Sequence, residues 1–351
     1  MSRTDRFLRA CRLEKADCTP VWLMRQAGRY MAAYRKVREK YSLIEMFKTP
    51  DIAAAVTLQP VRAYELDAAI VFADILLPLE GMGVGLEFLE KEGPRIPNPI
   101  RTPEDVEKLA VLEPEEDLGY VLSCLRSVRA ELNNKVPLIG FAGAPFTLAS
   151  YAIEGGSSGN FLRTKGMMYE HPVLWNQLME KLARRVASFL LAQARAGAQV
   201  VQLFDSWVGC LSPADYQEYV LPHARYVFRC LREAGIPGIH FGTGTADLLP
   251  LMRAAGGDVV GVDWRTPIDV AWTRIGDGAG VQGNLDPVTL LAPRDVLVRK
   301  AGEILDRVGG RPGHIFNLGH GVLPGTPEDS VRALVDFVHQ YECQCTPQAQ
   351  A

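Results

Sequence analysis

Two arginines stand four residues apart, at Arg25 and Arg29, with Gln26, Ala27 and Gly28 between them. The small Ala-Gly pair leaves room for a ligand body, so two guanidinium forks can be aimed at one anion. Each fork can hold a carboxylate or phosphate bidentately at any physiological pH. They open a basic run continued by Arg35, Lys36, Arg38 and Lys40 and opposed within it by Glu39. On its own, such a run is more often a solvated helix face than a binding patch. Asp74 follows Ile70-Val71-Phe72-Ala73 and precedes Ile75-Leu76-Leu77-Pro78, a carboxylate set in an apolar frame. Its desolvation must be compensated by a ligand or by an internal salt bridge to Arg25 or Arg29, and the residues alone leave both open. His320, between Gly319 and Gly321, can touch a ligand or close a turn with its ring satisfied by backbone.

These groups form one set only if the surrounding elements bring them together. Eight short runs rich in Val, Ile, Leu and Phe recur: Pro20–Met24, Ala68–Ala73, Leu138–Ala142, Val200–Phe204, Gly238–Phe241, Val259–Val262, Gly280–Gly283 and His314–Leu318. Runs apolar on both faces suit parallel strands covered by helices, and segments of helical spacing separate them. Ser212-Pro213-Ala214-Asp215 reads as a capped helix start, Thr326-Pro327-Glu328-Asp329 repeats it, and Pro222 is expected to kink the helix it interrupts. Leu174, Leu178, Leu182, Val186 and Leu190 mark one buried stripe that Gly197 ends.

Eight βα units without a composition shift predict one α/β domain over residues 1–342, a (β/α)8 TIM barrel, with a disordered tail over 343–351. The segment from Leu86 to Pro99 reads as a hairpin inserted in the second βα loop, above the active face. In such a barrel catalytic groups project from strand C-terminal ends. That rule selects Arg25 to Tyr30, Asp74, Asp205-Ser206, Gly242-Thr243-Gly244, Asp263-Trp264, Asn284-Leu285-Asp286 and Gly319-His320-Gly321. Gly155-Gly156-Ser157-Ser158-Gly159 lacks a following Gly-Lys-Ser/Thr, so a mobile lid is a better reading than a phosphate loop.

A formal net charge of −3 argues against a broad nucleic-acid or anionic-membrane surface, and no apolar run is long enough for a membrane span. The charged start, Met1 to Arg6, fits neither a secretory signal nor a transit peptide, so a cytoplasmic location is expected. Seven cysteines, Cys343 and Cys345 in the tail among them, show no metal-ligand spacing and read as reduced thiols.

Trp22-Leu-Met-Arg-Gln-Ala-Gly-Arg29 and Gly140-Phe-Ala-Gly-Ala-Pro-Phe-Thr-Leu-Ala-Ser-Tyr-Ala-Ile-Glu-Gly155 closely resemble the two signature segments of the uroporphyrinogen decarboxylase family. The resemblance continues through Phe72 to Ile75, Phe204-Asp-Ser206 and Asn317-Leu-Gly-His-Gly321. It implies a barrel, usually a homodimer, that removes CO₂ from the four acetate side chains of uroporphyrinogen III to give coproporphyrinogen III without metal or organic cofactor. Motif by motif, it places substrate contacts on Arg25, Gln26, Ala27, Gly28, Arg29, Asp74, Tyr151, Ser206 and His320, with Arg38 a weaker match. Without it, Tyr151 reads as a packed aromatic and Ser206 as a strand-end cap.

A pyrrole protonated on a ring carbon is itself an electron sink, so pyridoxal or thiamine is not required. Asp74 would accept pyrrole N–H donors and face the developing cation, while Arg25 and Arg29 hold carboxylates. Two other readings compete. Corrinoid-dependent methyltransferases resemble the barrel but carry zinc on His-x-Cys after the fifth strand; here that place reads His240-Phe241-Gly242. A non-catalytic polyanion binder could use the same arginines, but gains nothing from Asp74.

Overall fold

The computed structural model describes residues 1–89, 93–110 and 113–342. Residues 90–92 of the expected hairpin, residues 111–112 and the expected tail with Cys343 and Cys345 lie outside the described residues. Seven strands form one curled parallel sheet, in the order β1 (Ala69–Ile70), β4 (Leu138–Gly143), β5 (Val200–Asp205), β6 (Gly238–Gly242), β7 (Val259–Gly261), β8 (Gly280–Gln282) and β9 (His314–Ile315). A separate antiparallel pair joins β2 (Glu87–Leu89) to β3 (Gly93–Arg95), Phe88 opposite Pro94. Every residue of β4, β6, β7 and β8 is buried, as strands covered on both faces require.

The covering layer is helical. The longest helix, Pro172–Arg195, buries Leu174, Leu178, Leu182, Val186 and Leu190 along one stripe, and Gly197 beyond its end adopts φ +121°, as its sequence implied. Truncating one of these leucines to alanine should cost about 2–5 kcal/mol. Leu221–Glu233, Leu249–Ala255, Ile268–Ile275 and Arg294–Val308 cover the sheet between later strands, and Glu328–Gln340 follows β9.

Pro20–Met24 does not form the regular strand its composition predicts. Phe316 N donates to Pro20 O (2.8 Å), Trp22 N to Phe316 O (3.3 Å) and Asp67 N to Val21 O (2.8 Å), so the segment lies between the sheet's two edges. The ladder stops because side chains intercept it: Leu23 N donates to Gln26 Oε1 (3.1 Å) and Met24 N to Asn317 Oδ1 (3.0 Å). The strand expected at Ala68–Ala73 shortens to Ala69–Ile70, and that at His314–Leu318 to His314–Ile315 with single bridges at Phe316 and Leu318.

Two helix starts also differ from expectation. Pro222 kinks nothing; the chain breaks at Val220 into two helices, Pro213–Tyr219 and Leu221–Glu233, and Pro222 sits in the first turn of the second. Ser212 caps through Asp215 N (3.1 Å) as expected, but Thr326 caps nothing, its hydroxyl buried without a partner while the helix starts at Glu328 after Pro327.

Candidate active site

Beyond the C-terminal ends of β1, β4, β5 and β6 opens a cavity of ≈ 940 Å³. Arg25, Ala27, Gly28, Arg29, Arg38, Asp74, Tyr151, Ser206 and His320 all line it. Of the residues that the sequence puts forward as contacts, Gln26 alone does not. Its fully buried amide accepts from Leu23 N (3.1 Å) and donates to Ala68 O (3.1 Å), bracing the arginine turn from behind.

Arg25 has φ +60°, a left-handed conformation uncommon for any residue but glycine and more so for a bulky side chain. That conformation throws its stem across Gly321, where a Cβ would come within 2.7 Å of Arg25 Cγ. A glycine is therefore required beside His320 for Arg25 to lie where it does. Arg25 and Arg29 are both exposed to the cavity and neither guanidinium has a hydrogen-bond or ion-pair partner among the described residues. Arg38, at the end of the Ala32–Arg38 helix, donates to Tyr41 O (2.5 Å) on the cavity rim. Three cationic heads thus face one space, and Lys40 adds a fourth.

Asp74 makes no salt bridge among the described residues. One carboxylate oxygen accepts Leu76 N (2.9 Å), and burial pushes its pKa up to about 6 against the pull of that amide and of the Arg25 charge. A carboxylate held by one amide, with no ion pair among the described residues, beside unpaired arginines is a poor brace for the fold and a candidate ligand contact. Tyr151, on the Pro145–Glu154 helix, is nearly buried with its ring 5.7 Å from that of Trp207, and burial and Asp74 both raise its pKa. Ser206 follows the last residue of β5 and its carbonyl accepts from Thr243 Oγ1 (2.7 Å).

His320 both closes a turn and lines the cavity. Gly321 N donates to its Nδ1 (2.8 Å), which leaves the ring proton on Nε2. Burial, followed by the charges of Arg25 and Arg265, lowers its pKa, so a neutral imidazole offers an N–H donor. The edge of Trp264 supports the ring, centroids 6.4 Å apart.

Several strand-end residues selected by position turn out to be scaffold. Asp263 accepts Gly244 N (2.5 Å) and Arg265 N (3.0 Å), Asn284 Nδ2 donates to Asp263 O (2.9 Å) and Thr266 O (2.6 Å), and Asp286 accepts Val288 N (2.9 Å). Gly155-Gly156 is not free as a lid would be: Ile96 N donates to Gly155 O (2.9 Å) and Arg95 bridges Gly156, fastening β3 to the helix that carries Tyr151.

The sequence reading missed the floor. Phe141, Phe204 and Phe241, on adjacent strands, pack edge to face at 5.5 Å and 5.9 Å beneath the polar groups. Their signal was available as one aromatic near the C-terminal end of each of β4, β5 and β6. Phe88, Leu89, Gly93 and Pro94 of the β2–β3 pair form part of the rim. Cations over an apolar floor, with one anion among them, suit a large polyanion that has an apolar body and N–H donors. Among the described residues no three His, Cys, Asp or Glu side chains are grouped as a metal site. His240, within β6, is fully buried with its ring 5.0 Å from that of Phe228 on the covering helix.

A parallel α/β sheet with such a cavity at its carboxyl edge defines an α/β protein whose ligand site lies where α/β enzymes place theirs. The uroporphyrinogen decarboxylase (URO-D) family model matches residues 2–341. The chain is 58% identical to the uroporphyrinogen decarboxylase of Carboxydothermus hydrogenoformans, with 96% of each chain covered. It is 59% identical to that of Sorangium cellulosum over 95% of this chain and 96% of the relative. Among solved structures, a methyltransferase from Methanosarcina mazei superposes with a TM-score of 0.82 at 20% identity, covering 96% of this chain and 98% of the other, a likeness of fold. The chain belongs to the uroporphyrinogen decarboxylase family.

Proposed function

We propose that the cavity binds uroporphyrinogen III and removes CO₂ from its four acetate side chains, giving coproporphyrinogen III in tetrapyrrole biosynthesis, with no metal or organic cofactor. Family membership supports the decarboxylase activity. The observation that carries the site assignment is the unpaired Asp74 carboxylate in one cavity with unpaired Arg25 and Arg29. Arg25 and Arg29 hold substrate carboxylates, with Arg38 at the rim, and Ala27 and Gly28 let the ring approach. Gln26 acts through the turn it braces. Tyr151, Ser206 and the Nε2–H of His320 orient the macrocycle. Asp74 accepts the pyrrole N–H groups.

Each step consumes one proton and releases one CO₂. Protonation of the ring α-carbon beside the one bearing the acetate makes that pyrrole cationic. The electron pair of the breaking C–CO₂ bond then forms an exocyclic methylene on the bearing carbon, a proton added to that methylene gives the methyl group, and loss of the proton from the α-carbon restores the pyrrole. The electrons never leave the substrate, which is why the chemistry needs no separate sink. The ionised Asp74, preorganised in the cavity by Leu76 N, faces the cation as it forms.

The sheet belongs to a closed (β/α)8 barrel in one domain over residues 1–342, with Pro20–Met24 as the strand that joins its edges. In support, that segment bonds to Phe316 on one side and Asp67 on the other. The β2–β3 pair is the core of an insertion in the second βα loop. We further propose a homodimer, as the resemblance implies, in the cytoplasm; no helix among the described residues is long and apolar enough to cross a membrane.

Anaerobic incubation with uroporphyrinogen, before and after exhaustive chelation and dialysis, tests the reading. Products counted by carboxyl number should fall from eight to four at an unchanged rate. A binder without turnover, or activity restored only by added metal or pyridoxal phosphate, refutes it.

A further inference from the structure

Asp205 is fully buried at the end of β5, pointing away from the cavity between two residues, Phe204 and Ser206, that line it. One of its oxygens accepts Thr147 Oγ1 (3.0 Å). The other accepts no hydrogen bond and lies 3.7 Å from His240 Nε2, itself fully buried and without a hydrogen bond. A half-satisfied buried carboxylate is costly, and an apolar residue of similar size would stabilise the fold better. Its retention in this chain calls for a reason other than stability.

Thr147 supplies one. It lies one helical turn before Tyr151 on the Pro145–Glu154 helix, so both side chains share a face. The same hydroxyl that donates to Asp205 accepts Trp207 N (3.4 Å). The Trp207 ring in turn packs against Tyr151. A single hydroxyl therefore ties the helix that presents Tyr151 to the loop that presents Ser206, on both sides of Ser206. We propose that Thr147 and Asp205 are positioning residues that fix the separation of Tyr151 and Ser206 across the cavity. The inference rests on the functional reading above, in which those two side chains orient the macrocycle. Neither Thr147 nor Asp205 lines the cavity, so neither touches substrate.

Thr147→Val keeps the shape and removes both hydrogen bonds, whereas Thr147→Ser keeps the hydroxyl. The expected result is at least a 10-fold loss of kcat/KM on uroporphyrinogen in T147V and recovery to within about 3-fold in T147S. Tyr151→Phe should cost much less in the T147V background than in wild type, because a mispositioned hydroxyl has little left to lose. Additive losses, or a T147V enzyme with a lower melting temperature and wild-type kinetics, overturn the proposal. If T147V does not fold, Asp205→Asn, which keeps the acceptor, should retain activity while Asp205→Ala does not; equal activities overturn it. Amide hydrogen exchange of residues 204–210 gives a readout independent of turnover. It should accelerate in T147V and return to wild-type rates in T147S. Inactive wild type with this exchange pattern refutes the functional reading alone; unchanged exchange refutes the clamp.

Discussion

Replacing Asp74 by Asn should make the protein more stable and the enzyme far slower. The carboxyl pKa rises from 3.8 to about 6 in the folded protein, chiefly because burial strips its water. At about 1.4 kcal/mol per pKa unit, keeping it ionised in the ligand-free cavity costs about 3 kcal/mol, an upper bound since its side chain is partly open to the cavity. The sign follows from proton binding. Between roughly pH 4 and 6 the folded state holds the proton more tightly, so the penalty is absent below this window and grows as pH rises through it. Asn removes the ionisation and its oxygen can still accept Leu76 N. D74N should therefore melt a few degrees above wild type at pH 8 and by only about a third of that margin at pH 4.5, measured at one scan rate. Turnover should fall at least ~10²-fold, the scale seen when a preorganised electrostatic partner is lost. A D74N protein that melts below wild type at pH 8 refutes the electrostatics, and one with near-normal single-turnover rates refutes the catalytic role.

Changing Arg25 or Arg29 to Met should weaken substrate binding by roughly 1.5–3 kcal/mol with the melting temperature little changed, since neither guanidinium has a protein partner; a collapse in melting temperature would make them structural. Gly321→Ala should mimic the Arg25 variant because the added methyl meets the Arg25 stem, and unchanged substrate affinity would show that the stem moves without consequence. If pyrrole N–H donors return the Asp74 pKa toward ordinary values, binding at pH 6 releases up to about half a proton; calorimetry in two buffers of different ionisation heat should find release, and uptake contradicts the assignment.

Strand positions were readable because parallel strands buried on both faces must be continuously apolar, and β4 to β8 lie where such runs fall. The first segment was misjudged in form because composition carries no trace of Gln26 and Asn317 capturing its amides. Thr326 and Pro222 show the limit of local cap chemistry: the helix after Thr326 starts at Glu328 with the threonine hydroxyl buried and unused, and the break at Val220 puts Pro222 in a first turn, where it is tolerated. At strand ends, position alone could not separate ligand-facing residues from scaffold. Asp74, Asp205 and Asp263 obey the same rule, yet only the first faces the cavity.

What distinguishes these three aspartates is where their compensation comes from. Asp263 is satisfied by Gly244 and Arg265, and its charge is spent within the protein. Asp205 is half satisfied by Thr147, whose hydroxyl also accepts Trp207 N beside the cavity residue Ser206. Asp74 receives one amide, with Arg25 near enough to lower its pKa but not bonded to it. Were Arg25 to close on Asp74, both charges would be stabilised and both would be lost to a ligand. The left-handed turn at Arg25, seated on Gly321 and braced by Gln26, holds the guanidinium away from that pairing. The backbone thus keeps an anion and its nearest cation apart in one cavity, a separation that a substrate bearing carboxylates outside and N–H groups inside can relieve from both ends at once.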